Sequence, residues 1–227
     1  MISQDDRSTN MPSHSVYSHC SEGISPKVFT DIYQDKINLC IWHRPQLSNE
    51  LTSAVKNIVT GVDKIEVAEP VATGNVDNIL NQKINGMLDV NTLSHDITQL
   101  VEMFCCLFGL NRVGLRLNSL DKAMCPKFHC DKIQCRLVTT YYGNGTQWLP
   151  NHLVDRDQLG FKSHGLIDGK SGVYRSEFDI QQLQLGDVAL LKGENWQDNS
   201  GSGIVHRSPD VRKGEKRLML TLDFMLG

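Results

Sequence analysis

Three side chains that commonly bind metal ions occur in the second half of the sequence. His129 and Asp131 are separated by one residue, so on a β-strand both side chains would leave the same face and converge on one ion. A third ligand, His206, follows in the segment Gly-Ile-Val-His-Arg. Two histidines and one carboxylate form the facial triad that binds non-haem Fe(II) and leaves coordination positions open. The sequence therefore predicts a metal site made of these three residues.

An arginine follows the second histidine at the start of an alternating segment. Arg217 lies eleven residues after His206, and the leucines that follow it occupy the opposite strand face. If the leucines pack on helices, Arg217 points into the interior, where a guanidinium needs an anion and fits a carboxylate best. We expect that anion to be the distal carboxylate of 2-oxoglutarate, whose keto-acid end would chelate Fe(II). The alternative is a surface arginine paired with Asp223 or Glu215.

The order His-x-Asp, His and then Arg resembles the Fe(II)/2-oxoglutarate-dependent dioxygenase superfamily, whose fold is a double-stranded β-helix. Residues 136–148, RLVTTYYGNGTQW, resemble its prolyl-hydroxylase-like branch, as does Gly-Asp-Val before a buried strand at residues 186–188. In that branch a tyrosine on the strand after His-x-Asp commonly binds the co-substrate. The resemblance assigns this contact to Tyr141, which shares the strand face of His129 and Asp131 if no bulge intervenes.

From about residue 28 to residue 224 the sequence is similar to the bacterial domain of unknown function 1826 family. The similarity is carried by the segments FHCDKIQCRLVTTYYGNGTQW, GDVALLKGENW, HRSPD and RLMLTLD. The family brings no established reaction. It does imply a connection to metals, because some members are encoded near metallochaperone GTPases of zinc homeostasis.

The predicted secondary structure that positions these residues changes from helices to strands at Gly109. Before it, apolar residues recur at helical spacing over residues 48–61, with Ser48 as the N-cap, over 76–84, and most strongly over 93–108. After it, apolar and polar residues alternate. Strands are predicted at residues 113–118, 127–131, 133–142, 173–178, 188–192, 203–207 and 217–224. We therefore predict an α+β fold, with a double-stranded β-helix (jelly roll) in the C-terminal half packed against helices from the N-terminal half.

Length and composition predict one domain. The chain has 227 residues, of which 40% are hydrophobic, enough for one sizeable core. Residues 1–25 are polar and lack periodicity, which predicts a disordered tail. Residues 26–227 are predicted to form the domain, with 26–110 as mainly helical support and 111–227 as the barrel. The polar connection at 150–172 is predicted to be either a functional lid or a disordered insertion.

Charge and cysteine content restrict the partners and the compartment. The net charge is −3 and the charges alternate in sign, which is unlike the basic patch of a nucleic-acid-binding surface. No apolar run approaches the length of a membrane span, and the N-terminus lacks an export signal. Seven cysteines without a framework spacing indicate free thiols in a reducing compartment. We predict a cytoplasmic protein without nucleic-acid or membrane partners.

The leading hypothesis is an Fe(II)/2-oxoglutarate-dependent oxygenase that hydroxylates a small-molecule or peptide substrate. The alternative is a non-enzymatic metal-binding jelly roll that buffers or hands over zinc with the same three ligands. Cys125, Cys130 and Cys135 flank the His-x-Asp motif at five-residue intervals and offer a rival zinc site, although buried cysteines also pack as small apolar residues. A barrel that binds no metal and serves as an interaction module is the third hypothesis.

Overall fold

The computed structural model describes residues 19–84, 89–160 and 166–225. Its α-helices are α1 (Asn49–Gly61), α2 (Val76–Lys83), α3 (Val90–Phe108) and α4 (Asp168–Ser171). Its strands are β1 (His19–Gly23), β2 (Ile37–Trp42), β3 (Glu66–Val71), β4 (Val113–Leu120), β5 (Cys135–Tyr142), β6 (Gln147–Leu149), β7 (Gln181–Gln182), β8 (Val188–Lys192), β9 (Val205–Arg207) and β10 (Arg217–Phe224). Short 3-10 helices span Pro26–Tyr33, Asn151–Leu153, Arg156–Gln158 and Glu177–Asp179.

The strands form one large and one small sheet. The large sheet has the order β1-β2-β8-β5-β10-β4-β3, and the small sheet has the order β7-β6-β9. Strands β1 and β2 are parallel, whereas the other neighbouring pairs are antiparallel. A single antiparallel bridge between His129 and His206 continues the small sheet beyond β9.

The large sheet is covered on both faces, because side chains alternate along each strand. On one face, Leu218, Leu220 and Leu222 of β10 belong to the main core together with buried residues of helices α1, α2 and α3. On the other face, Met219 packs in a second core with Trp148 and other side chains of the small-sheet region. The three layers are therefore helices, large sheet and small sheet.

Helix α1 begins, and helix α3 ends, at the capping residue that the sequence predicts. The Ser48 hydroxyl accepts the Leu51 backbone N–H at 3.1 Å and caps α1. Helix α3 ends at Gly109, which has a φ of 63° in the left-handed region that glycine adopts without strain. Its N–H donates to the Cys105 carbonyl.

The fold is a mixture of helices with a large β-sheet, and several local predictions need correction. The N-terminal part also contributes strands to the large sheet: β1 precedes residue 26, and β2 and β3 lie among the helices of residues 26–110. His19–Gly23 forms an edge strand, so the predicted tail is wrong for those residues, while residues 1–18 lie outside the described ranges.

Two predicted strands are also wrong. Residues 127–131 form a loop that meets β9 only through the bridge at His129, and residues 173–178 lead into a 3-10 helix. The Ser176 capping box explains the second error, because side-chain hydrogen bonds there satisfy backbone donors that a strand would pair with a neighbour. The described part of 150–172 is ordered, since Val154 and Leu159 pack on a third apolar cluster.

The structure bears on two expectations drawn from composition, which concern membrane spans and cysteines. Among the described residues, no helix has the length and apolarity that a membrane span requires. All seven cysteines fall within the described ranges, and each is a free thiol.

Candidate metal centre and its cavity

The three predicted ligands come together at the open end of the small sheet. His129 and His206 exchange two backbone hydrogen bonds of 3.0 Å, which places their side chains next to each other. Asp131 Oδ1 lies 3.7 Å from His129 Nε2, and Asp131 Oδ2 lies 3.5 Å from His206 Nε2. One ligand atom from each residue lies within 4.8 Å of the others. This spacing suits three ligands of one ion.

The backbone orients both imidazole rings. His129 Nδ1 lies 2.8 Å from the Lys127 carbonyl oxygen, and His206 Nδ1 lies 3.2 Å from that of Ile204. When each Nδ1–H donates to its carbonyl, each Nε2 carries a lone pair directed toward Asp131, as in protein metal sites. Burial and the neighbouring His206 charge lower the pKa of His129, so its ring is uncharged at neutral pH.

The third ligand is ionised. Burial by itself raises the pKa of Asp131, but the hydrogen bond with His206 and the charges of His206, Arg136 and His129 outweigh it. The pKa of Asp131 therefore lies below its usual range. Arg136 Nη1 donates to Asp131 Oδ2 at 2.5 Å, which leaves Oδ1 without an arginine partner. The cluster thus offers two imidazoles and one carboxylate.

The turn that carries Asp131 is fastened to the segment after β8. The Glu194 N–H donates to the Asp131 carbonyl at 2.9 Å, and the Gly193 N–H donates to the Gln134 carbonyl at 2.8 Å. The two segments approach so closely that a Cβ atom at Gly193 would lie 2.2 Å from the Ile133 carbonyl oxygen and 2.9 Å from that of Asp131. Only glycine fits this contact without displacing the backbone that positions Asp131.

Gly193→Ala should therefore damage the metal centre without touching a ligand. We expect the affinity for Co²⁺ to fall by about tenfold or more, the loss typical when the support of a metal ligand is disturbed. Calorimetric titration of metal-free protein measures it. Gly74→Ala is the matched control, because no atom lies within 4 Å of a Cβ there. Wild-type affinity in the Gly193 variant would contradict this account of the turn.

Arg217 is connected to the cavity of the two histidines through Thr146. The cavity beside His129 and His206 is also lined by Thr146, Met219 and Thr221. Arg217 starts β10 on the strand face of Met219 and is 1% exposed. Its Nη2 donates to the hydroxyls of Thr140 and Thr146 at 3.1 and 2.9 Å. Its Nε and Nη1 are buried and have no hydrogen-bond partner among the residues that the structure describes.

This arginine is a buried cation without an anion. Burial lowers the pKa of Arg217 to about 10, which still leaves it charged at neutral pH. The two arginines that line the cavity are paired: Arg136 with two carboxylates and Arg207 with Asp168 at 3.0 Å. A buried charge is expensive unless it is paired, so Nε and Nη1 of Arg217 are available to an anionic ligand. The surface alternative for Arg217 is wrong, since Asp223 pairs with other arginines.

The structure places Tyr141 away from this cavity. Its side chain belongs to the core between the large sheet and the helices, and its hydroxyl donates to Asp96 Oδ2 at 2.5 Å. The structure therefore does not bring Tyr141 to the predicted co-substrate site. Face alternation does not carry over from Asp131 because residues 131–134 turn before β5 begins at Cys135. Thr140, on the opposite face, reaches Arg217 instead.

Tyr141→Phe should consequently affect stability and spare co-substrate binding. Loss of the hydrogen bond to the Asp96 carboxylate should lower the free energy of unfolding by about 1.5–3 kcal/mol. The loss should not exceed this range, because Arg44 still pairs with both Asp96 oxygens. Urea unfolding measures the change, with Tyr142→Phe as the control. A weakened affinity for 2-oxoglutarate in the Tyr141 variant would reinstate the original prediction.

The rival cysteine site does not assemble. Cys135 is buried on the helix side of β5, Cys130 contacts the Gly203 carbonyl, and Cys125 is exposed at the cavity. In the part of the chain that the structure describes, the His129, Asp131 and His206 group is the one metal-compatible cluster of His, Cys, Asp and Glu side chains.

Sequence reasoning missed four residues around the site: Thr140, Thr146, Arg136 and Asp223. The two threonines hold Arg217, and Arg136 holds Asp131. Asp223 carried a usable signal, because a carboxylate on the inward face of an apolar strand requires a cationic partner. The threonines carried none.

Comparisons with known proteins give the family of this chain and structures with a similar fold. The sequence model of the family described as Protein of unknown function (DUF1826) matches residues 23–223, which confirms the family resemblance. Among curated proteins, none matches the sequence. The structure is similar to dioxygenase for auxin oxidation 1 from Arabidopsis thaliana in its 2-oxoglutarate complex, with 10% identity over 92% of this chain and 93% of that chain and a TM-score of 0.51.

Two further structures resemble it more distantly. The rice dioxygenase for auxin oxidation is 10% identical over 92% of this chain and 83% of that chain, with a TM-score of 0.49. A Pseudomonas putida prolyl-4-hydroxylase is 7% identical over 89% of this chain and 99% of that chain, with a TM-score of 0.45. At this identity the Arabidopsis comparison shows a shared fold and no more.

Proposed function

The chain belongs to the DUF1826 family, and we propose that it is an Fe(II)- and 2-oxoglutarate-dependent oxygenase that hydroxylates a C–H bond of its substrate. One observation carries the proposal: the buried Arg217 keeps two nitrogens, Nε and Nη1, without a partner among the described residues, and it is held by Thr146, which lines the same cavity as His129 and His206. A metal triad with an anion position close to it is what a metal-chelating dicarboxylic acid requires.

The donor set fits the metal that this chemistry uses. Two imidazoles and one carboxylate leave coordination positions free, whereas a structural zinc site is normally closed by four protein ligands. Bound Fe(II) would couple the oxidative decarboxylation of 2-oxoglutarate by O₂, giving succinate and CO₂, to insertion of the second oxygen atom into the substrate. A small sheet facing a large sheet is also what we expect of a double-stranded β-helix.

The protein's own residues would perform three tasks. His129, Asp131 and His206 would hold the metal through Nε2 atoms and one carboxylate oxygen. Arg217 would bind the distal carboxylate of 2-oxoglutarate through Nε and Nη1, while the Thr140 and Thr146 hydroxyls fix Nη2 and so orient the guanidinium. The apolar Val138, Leu191 and Met219 side chains on the cavity wall would keep water away.

The zinc-handling alternative uses the same three ligands but gives Arg217 no task. A buried, half-satisfied guanidinium lowers stability, so a protein that only bound zinc would be better served by an apolar residue at this position. The unpartnered donors therefore favour the oxygenase.

An anaerobic titration tests the proposal. Fe(II) followed by 2-oxoglutarate is added to metal-free protein, and the expected result is a weak visible charge-transfer band from the iron–keto acid chelate. Succinate, which lacks the keto group, is the matched control and should give no band. Iron binding without the band, or tight zinc binding that is insensitive to 2-oxoglutarate, would favour the metal-handling alternative.

A further inference from the structure

Arg136 and Asp223 form an ion pair next to the candidate metal ligands, and the proposed function gives this pair no role. Arg136 Nη1 donates to Asp131 Oδ2 at 2.5 Å, while Arg136 Nε and Nη2 donate to the two oxygens of Asp223 at 2.7 and 3.0 Å. One guanidinium therefore joins a candidate metal ligand to a second carboxylate. Arg136 and Asp223 belong to the neighbouring strands β5 and β10, where they face each other in register.

The pair is built into the sheet. Asp223 is 7% exposed, and on its solvent side it also pairs with Arg116, whose side chain is half exposed. Negative and positive groups thus alternate from Asp131 through Arg136 and Asp223 to Arg116. Each of the three nitrogens of Arg136, Nε, Nη1 and Nη2, donates to a carboxylate. The guanidinium is therefore held in one orientation.

We infer that Asp223 is a positioning residue for the metal centre and acts through Arg136; the inference rests on the proposed metal-binding role of Asp131. By accepting hydrogen bonds from Nε and Nη2 along one edge of the guanidinium, Asp223 leaves Nη1 of Arg136 for a single contact with Asp131. That contact occupies Oδ2 and leaves Oδ1 for the metal. Asp131 then binds through one oxygen, and the coordination positions that a chelating co-substrate needs stay open.

The same geometry predicts the consequence of losing Asp223. An arginine released from its bidentate partner would turn its fork toward the nearest carboxylate, which is Asp131, and would compete with the metal for both oxygens. Asp223→Asn keeps the size of the side chain and removes its charge. We expect it to weaken the affinity for Co²⁺ by about 10- to 100-fold, the range typical of altered support for a metal ligand.

A double-mutant cycle separates this mechanism from a general structural effect. The affinity for Co²⁺ is measured calorimetrically for wild type, Asp223→Asn, Arg136→Met and the double variant, all prepared metal-free. If Asp223 acts through Arg136, the Asn substitution weakens binding in the wild-type background and adds nothing in the Arg136→Met background. Equal losses in both backgrounds, or wild-type affinity in Asp223→Asn, would overturn the inference.

Spectroscopy and controls complete the test. The visible spectrum of bound Co²⁺ should change in Asp223→Asn, because the Asp131 carboxylate coordinates differently. Arg116→Met removes the outer partner of the same carboxylate and should keep wild-type affinity. Should the Asn variant fail to fold, Arg136→Lys replaces the variant: lysine keeps the charge but cannot join two carboxylates, so a tenfold loss is expected and wild-type affinity would refute the inference.

The outcomes also distinguish this inference from the proposed function. If wild type binds no divalent metal, the metal site itself is wrong. If wild type binds Co²⁺ and the cycle shows no coupling, only the role of Asp223 fails. If the coupling is found but 2-oxoglutarate gives no band with Fe(II), the positioning role stands and the oxygenase does not.

Discussion

Arg217→Met should abolish 2-oxoglutarate binding while leaving the metal-free protein at least as stable as wild type. Removing one partner of a buried charged pair typically costs about 2–5 kcal/mol of binding energy, so the affinity should fall by at least about 30-fold. Stability should move the other way, because methionine removes a buried charge whose Nε and Nη1 have no partner. Few other roles for Arg217 predict that 2-oxoglutarate binding is lost while the stability of the metal-free protein is kept or increased.

The measurement combines the charge-transfer titration with thermal unfolding. Addition of 2-oxoglutarate to the Fe(II)-loaded protein should raise the melting temperature of wild type and leave that of Arg217→Met unchanged. Arg112→Met, at an exposed position, is the control and should behave as wild type in both assays. Retention of the band in the Arg217 variant would remove Arg217 from the co-substrate site.

Asp131→Ala should eliminate stoichiometric metal binding and, with it, turnover of 2-oxoglutarate. The carboxylate is the one anionic ligand of the cluster, and its pKa lies below the usual range, so it is ionised and available throughout the neutral pH range. Without it, two imidazoles remain beside the Arg136 guanidinium, which repels a cation. We expect the affinity for Fe(II) to fall by more than about 100-fold, exceeding the loss for a residue that only supports a ligand.

Metal content after anaerobic loading and gel filtration measures this loss, and succinate production measures turnover. Asp121→Ala is the matched control, since Asp121 is an exposed carboxylate in the loop before the motif. A metal-loaded Asp131→Ala protein would show that the ion binds elsewhere. Normal metal loading with no succinate in wild type would instead favour the non-enzymatic alternative.

Local patterns in the sequence were enough to predict the candidate ligands, four of the ten strands in the described residues and three helices. His-x-Asp, the second histidine and the inward arginine were identifiable from their chemical types and their order along the chain. Strands β4, β5, β8 and β10 and helices α1, α2 and α3 followed from hydrophobic periodicity and from caps such as Ser48 and Gly109. These signals are local, so a linear pattern contains them.

Only the tertiary structure decided which side chains share the cavity. Tyr141 was assigned to the wrong face because the turn at residues 131–134 breaks the alternation, and whether a chain turns there depends on the backbone contacts that Gly193 permits. The pairing of Arg136 with Asp223, and the lack of a carboxylate partner for Arg217 among the described residues, depend on the alignment of β5 with β10. Register between strands distant in sequence is set by the packing of both sheet faces, which no local pattern specifies.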